Sequence, residues 1–206
     1  MAFLSTQNEE LKKKIDLLEG KMKEDKQYIT LLENQVEDLQ RSCRKNNLEM
    51  KNVPIKPNET KEDLIDMVIS LSQNVGQNMG KADITDIYRI RGMKGKNQST
   101  PIVVETSSTI LKADLLKMCK LFNIKNKTKL RAKHLGFRTA EETPIYISEQ
   151  LTAKGSRLYY LARDLAKSKA YRFCWTAYGR VYVRKDENSP IILVSNEGQV
   201  QHLLQK

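Results

Sequence analysis

The sequence is short of the residues that most often announce a chemical site. Its 206 residues include two histidines, three cysteines and one tryptophan. Cys43, Cys119 and Cys174 are odd in number and far apart, which excludes a disulfide framework or a CxxC metal site and predicts a reducing compartment. His134 and His202 have no cysteine at zinc-ligand spacing, so both read as ordinary surface residues and no metal is expected. No apolar run approaches about 18 residues, and no basic stretch followed by an apolar core opens the chain. Neither a membrane span nor a secretory leader is therefore expected. The expected setting is intracellular, in cytoplasm and/or nucleus, with no membrane partner. Phosphate-loop, zincin, nucleophile-elbow and dinucleotide-binding motifs are all missing. Asp63 and Asp66 stand i, i+3 on a predicted helix, where solvent exposure accounts for them. Neither an enzyme nor a cofactor is expected.

Acid is what the C-terminal half lacks. Residues 1–47 hold nine Lys/Arg and nine Asp/Glu, and residues 48–106 hold eight of each. Residues 107–206 hold nineteen basic and eight acidic residues, so the whole formal excess of +11 falls there. Two neutral stretches followed by a strongly basic one point to a polyanionic partner on one part of the molecule. An acidic protein would answer the same charge. An anionic membrane fits less well, because no basic helix with a strong apolar face is present.

Period seven is what the chain has in plenty. From Leu4 to Cys43, one line of residues runs Ile15, Met22, Ile29, Val36, Cys43, and a second runs Leu4, Leu11, Leu18, Leu32, Leu39. Asp25 is the single polar interruption of the second line. Taken as heptad positions a and d, the two lines form a narrow seam that stays in register only if helices supercoil. Such a helix is about 60 Å long at ~1.5 Å per residue. That is too long to fold back inside a small domain, so the remainder of the chain is expected at the end of a rod. Leu11, Ile15, Leu18, Met22, Ile29, Leu32, Val36 and Leu39 are the expected oligomerisation residues. β-branched residues at a with Leu at d favour two parallel strands. Across such a pair Lys14 meets Glu19, but Lys21 meets Lys26. Self-association is the expectation, and a related chain that better fits Lys21 and Lys26 stays open.

Beyond the seam the pattern changes to short strands and helices. Leu48 to Val53 alternates as a strand closed by Pro54 and Pro57, and Thr60 can cap a helix that ends before Gly76. DITDIYRIR and PIVVE read as strands around a basic loop, Ser107 or Ser108 caps a second helix to Phe122, and TPIYIS is a fourth strand. That order is β-α-β-β-α-β, as in ferredoxin-like and RRM-like folds. A second unit follows: a helix around Leu151–Leu165, strands YRFCW and RVYVR about a Thr176–Gly179 turn, a strand IILV, and a short terminal helix. The expected class is α+β, divided into a coiled coil (1–45), an RRM-like lobe (46–148) with a basic segment at 123–138, and a small C-terminal α/β lobe (149–206) built on a β-hairpin.

Three places could meet phosphate. In the hairpin, Tyr171, Phe173 and Trp175 alternate with Arg172 and Cys174, and Val181 and Val183 alternate with Arg180, Tyr182 and Arg184. If the apolar sets form the core, Arg172, Arg180, Tyr182 and Arg184 share the other side, with Lys185 adjoining. Guanidinium forks match phosphate oxygens, and a ring beside them can stack on an unpaired base. A merely solvated basic face is the alternative, and Trp175 is expected in the core. Arg157 on the preceding helix could extend this surface. The second place is Lys125, Lys127, Lys129, Arg131, Lys133 and Arg138, a run without an acid that reads either as a phosphate contact or as a solvated linker. The third is the strand carrying Arg89 and Arg91.

RSCRKNNLEMKNVP, DIYRIRG, TPIVVETSS and TPIYISEQLT, in that order, resemble the first-frame proteins of LINE-type retrotransposons and their insect relatives. The tail YRFCWTAYGRVYVRKDENSPIILVSNEGQVQHL resembles the C-terminal domain of the baculovirus few-polyhedra (FP) proteins. The resemblance implies a coiled-coil oligomer, dimer or trimer, whose RRM-like and C-terminal lobes bind single-stranded RNA or DNA as a chaperone-like coat. It also implies roles for Arg89, Arg91, Arg184 and Lys185, which match basic positions of those families. Two departures stand out: Glu105 replaces a lysine of the third strand, and LEMKNV and PIVVE lack the aromatic residues with which RRM sheets stack bases. A structural or assembly protein of few-polyhedra type, acting through the coiled coil, is the competing expectation.

Overall fold

The computed structural model describes residues 2–90, 99–168 and 171–205, with side chains from residue 7 onward. The chain divides into two units, Met1–Ser42 and Cys43–Lys206. The fold is α+β: one long N-terminal helix and two antiparallel sheets.

Helix α1 spans Ala2–Cys43, 42 residues without a proline. Within it Arg41 reaches back to Glu37 at 3.1 Å and to Asp38 at 2.6 Å, the i+4 and i+3 neighbours that a helix brings alongside. Every a and d residue expected to oligomerise is exposed in the single chain, Ile15 to 52%, Leu18 to 59% and Met22 to 71%. Large apolar side chains thus line one seam of the helix and stand open to solvent in the single chain.

Residues 43–206 begin with a lobe that follows the expected element order. Strand β1 (Asn47–Lys51) leads to α2 (Lys61–Asn74), then to β2 (Ile84–Arg89) and β3 (Ile102–Thr106), α3 (Thr109–Lys125) and β4 (Tyr146–Glu149). The sheet order is β2-β3-β1-β4, antiparallel throughout. Thr60 starts α2 with a reciprocal capping box. Its hydroxyl accepts from Asp63 N at 3.2 Å, and the Asp63 carboxylate accepts from Thr60 N at 2.9 Å. Ser108 caps α3 through Leu111 N. Period-two alternation puts Leu48, Met50, Ile102 and Val104 on the face that α2 and α3 cover, where Leu64, Met67, Val68, Leu71 and Leu115 complete the core. Asn47, Glu49, Val103, Glu105 and Tyr88 fall on the other face.

The second lobe has its own core. Helix α4 (Ala153–Lys167) and α5 (Glu197–Leu204) cover one face of a sheet ordered β5-β6-β7, made of Phe173–Ala177, Arg180–Arg184 and Ile192–Val194. Leu158, Ala162, Leu165, Val200 and Leu203 pack there on Val181, Val183 and Val194. Gly155 interrupts the apolar pattern of α4 for a steric reason. A Cβ there would lie 3.1 Å from the Thr152 hydroxyl, the group that caps the helix by accepting from Gly155 N.

One carboxylate joins the two lobes. Glu149, at the end of β4, accepts from Lys112 Nζ on α3 at 3.1 Å and from Tyr178 N and Gly179 N of the β5–β6 turn at 3.1 and 3.3 Å. Lys112 is buried and the Glu149 side chain nearly so. A buried ion pair is tolerated when its remaining valences are hydrogen-bonded, and the turn amides supply those bonds.

Candidate nucleic-acid interface

The hairpin register decides which side chains meet. Tyr178 and Gly179 have φ of 53° and 70°, and only these two residues separate paired Ala177 and Arg180. Two residues at positive φ make the tight turn whose twist matches flanking strands, and glycine takes the second place without strain. The pairs are Phe173↔Arg184, Cys174↔Val183, Trp175↔Tyr182 and Thr176↔Val181. Directly opposite residues share a face. Cys174 therefore joins Val181 and Val183 on the core side, while Phe173 and Trp175 join Arg180, Tyr182 and Arg184 on the open side. This corrects the expectation that Phe173 and Trp175 are core residues; of the three aromatics of that run, only Tyr171 is buried with the core. Cys174, held by burial at a thiol pKa of about 11, is a packing residue.

On the open face Trp175 and Tyr182 stack, centroids 5.7 Å apart and planes 19° from parallel. Leu193 of β7, paired with Tyr182, continues the same row, and all three are half-buried. Arg180 lies at the turn end of this strip, exposed and with no protein partner among the described residues. Arg184 lies at the other end, about 13 Å away at ~3.3 Å per residue. Arg184 is partly committed: Nε donates to Ser189 O at 2.8 Å and Nη2 to Glu187 O, which braces the β6–β7 loop. Three of its five N–H groups remain. Asp186 tightens that loop, its carboxylate held below the usual range by the Ser189 hydroxyl and the Asn188 amide. Arg172 is exposed beyond the strand, 3.2 Å from Glu187 and with its guanidinium 5.3 Å from the Phe173 ring. Lys185 is exposed in the same loop. A preformed aromatic strip with a guanidinium at each end can take a flat base on its rings and phosphates at its ends.

The other expected residues part company. Arg157 projects from α4, on the helical side of this sheet, toward Glu197 at 3.4 Å. Arg89 has every donor engaged: Nε and Nη2 hold the Glu59 carboxylate at 2.7 Å each, and the remaining N–H groups reach the carbonyls of Val53, Pro54 and Thr100. It is a staple for the Val53–Glu59 loop, with nothing left for a phosphate. Arg91 lies outside the described residues. The basic segment is no linker, because Leu130, Ala132, Leu135 and Phe137 are buried in the first lobe's core. Arg131 and Lys133 both pair with Glu142, the latter at 2.9 Å. Lys125, Lys127, Lys129 and Arg138 point into solvent. His134 is a structural residue rather than a plain surface one. Its Nδ1 accepts from Arg131 N at 3.0 Å and its ring edges onto Phe122 at 5.1 Å, and burial lowers its pKa.

Residues 152–204 match the family model described as Baculovirus FP protein domain 2. The match covers α4 through α5, that is, the whole second lobe with its hairpin. It supports a relation to the baculovirus FP proteins. No curated protein matches the chain.

Proposed function

We propose that the chain is a noncatalytic, self-associating protein that binds single-stranded RNA or DNA, of retroelement or viral ancestry. The observation that carries this reading is the half-buried Trp175–Tyr182 stack on the sheet face between Arg180 and Arg184. Duplex bases hide their faces in the stack, whereas an unpaired base offers one to an aromatic ring. Arginine forks at both ends of the strip supply the sequence-independent phosphate term. Lys125, Lys127 and Lys129 add a second, weaker basic patch on the first lobe. The strand order β2-β3-β1-β4 supports reading that lobe as RRM-like, though its two central strands, β1 and β3, carry no aromatic residue. Helix α1 is the self-association element, and joining several weak sites raises their effective concentration on one strand.

The test uses single-stranded RNA and DNA oligomers titrated by fluorescence anisotropy. Trp175→Ala is expected to lower affinity about 5- to 160-fold, the value of one stacked base at ~1–3 kcal/mol. Arg180→Ala is expected to reduce the log–log salt slope by about 0.7, one phosphate's worth on a single strand. Affinity and slope unchanged in both variants would remove this face from nucleic-acid binding. Leu193 beside the rings, with exposed Ile191 two residues before it, favours a second reading, docking of another protein in a structural or assembly role. Protein purified without nuclease separates the two. Co-purifying nucleic acid, seen in the 260/280 nm absorbance ratio, supports the first, and clean protein supports the second.

A further inference from the structure

Resting on the reading of α1 as the self-association element, we propose that α1 pairs with a second copy of itself in antiparallel orientation. The seam residues that favour two parallel strands over three or four can also pair in reverse, and the charges beside them favour the reverse. In a parallel pair each g residue meets the e residue of the following heptad in its partner. That pairs Lys14 with Glu19 but Lys21 with Lys26, so attraction and repulsion cancel, and it sets Asp25 against Asp25 in the seam. Reversing one helix brings e against e and g against g, and a layers against d layers. With the seams fully overlapped, Ile15 meets Leu32, Leu18 meets Ile29 and Leu11 meets Val36 of the second copy. Each Asp25 then meets Met22 instead of another carboxylate. On the flanks Lys12 meets Glu33 and Glu19 meets Lys26, each twice by the two-fold axis. Lys21 meets Tyr28, a cation over a ring. Four attractive charge pairs and no repulsive one replace a net of zero.

The registration is self-complementary, as an isologous contact requires, and it uses side chains that are exposed in the single chain: Met22 at 71%, Tyr28 at 63% and Leu32 at 39%. The two chains then leave the seam at opposite ends, about 60 Å apart at ~1.5 Å per residue.

Cysteine cross-linking in the full chain with Cys43→Ser distinguishes the orientations. Ile15→Cys and Leu32→Cys chains, one carrying a size tag, are oxidised separately and mixed. Antiparallel pairing gives a covalent heterodimer in the mixture and no covalent dimer from either chain alone. Self-cross-linking of Ile15→Cys, alone or alongside the heterodimer, overturns the orientation while leaving self-association standing. A monomer in sedimentation of the wild-type chain would instead overturn self-association itself. Charge reversal gives an independent reading. Lys12→Glu is expected to weaken dimerisation about tenfold, and adding Glu33→Lys to restore it, since exposed pairs are worth ~0.2–1 kcal/mol and each is reversed twice. In the parallel pair Lys12 faces Gln7 and Glu33 faces Tyr28, so an absence of mutual rescue overturns the proposal.

Discussion

Replacing Glu149 by alanine tests whether one carboxylate makes the two lobes of residues 43–206 unfold together. The two lobes have separate cores, and Glu149 accepts from both α3 and the hairpin turn. Its removal leaves Lys112, 5% exposed, as a buried ammonium without a counter-ion. Breaking a buried pair from one side costs about 3–5 kcal/mol, most of it the stranded charge. The lower figure is the appropriate one, because the turn amides reach water once the side chain is gone. At a urea slope of ~1–3 kcal/mol/M, 3 kcal/mol moves a midpoint by about 1–3 M. Trp175 is the only tryptophan, so its fluorescence reports the second lobe while far-UV circular dichroism reports both. Wild type is expected to show coincident transitions. In Glu149→Ala the transitions should move to lower urea and separate. Adding Lys112→Met removes the stranded charge and should recover more than half of the loss. A shift below about 0.5 M, with transitions still coincident, would refute the idea that Glu149 couples the lobes.

Arg89→Ala should lower stability by about 3 kcal/mol, since it strands the nearly buried Glu59 carboxylate, while leaving oligonucleotide affinity unchanged. A loss of affinity in a variant still folded by circular dichroism would return Arg89 to the binding surface. Acid should weaken the fold from its His134 side first. Burial lowers the His134 pKa below the ordinary 6.5, so the fold holds the neutral ring, whose Nδ1 accepts from Arg131 N. The unfolded chain takes up the proton more readily, so this contribution is complete above pH 6.5 and is lost as pH falls through the lower folded value. His134→Gln should flatten that step in a plot of urea midpoint against pH. An unaltered step would assign it to another group. Asp63, Asp86, Glu142 and Asp186 are also lowered, by hydrogen bonds to Thr60, Lys61, Lys133 and Ser189 respectively, and act in the same direction below the ordinary carboxylate range.

The elements were legible in the sequence because local chemistry fixes them. Thr60 and Ser108 cap helices where a hydroxyl precedes an apolar-periodic run, and Pro54 and Pro57 fall in the loop after β1. The hairpin faces differ from the expectation because hydrophobicity alone does not respect pairing. An even-numbered turn, whether Thr176–Gly179 or Tyr178–Gly179, sets Phe173 and Trp175 on the side of Arg180, Tyr182 and Arg184, and only an odd one would exchange the two sides. Grouping the strands by apolar character places the same rings in the core. Arg89 was not legible, because its partners Glu59, Val53, Pro54 and Thr100 come together only in the folded sheet. Nor was Glu149. One acid among twenty-five gives no sign that it will meet a lysine on α3 and a turn twenty-nine residues on.

The two sheets put opposite charge on the faces away from their helices. In β2-β3-β1-β4 that face carries Glu49, Asp86 and Glu105, with Lys51 the one basic residue in its described strands. In β5-β6-β7 it carries Arg180 and Arg184 with Phe173, Trp175 and Tyr182, and no acid within its strands. A polyanion within a Debye length of about 8 Å at physiological salt is repelled by the first face and drawn to the second. The order of strands in the first sheet is therefore no guide to where a polyanion would be drawn. On the basic face rings stand beside arginines, so the residues that attract a strand's phosphates flank a surface that can hold its bases, whereas the exposed rings of the first face, Tyr88 and Tyr146, stand among acids.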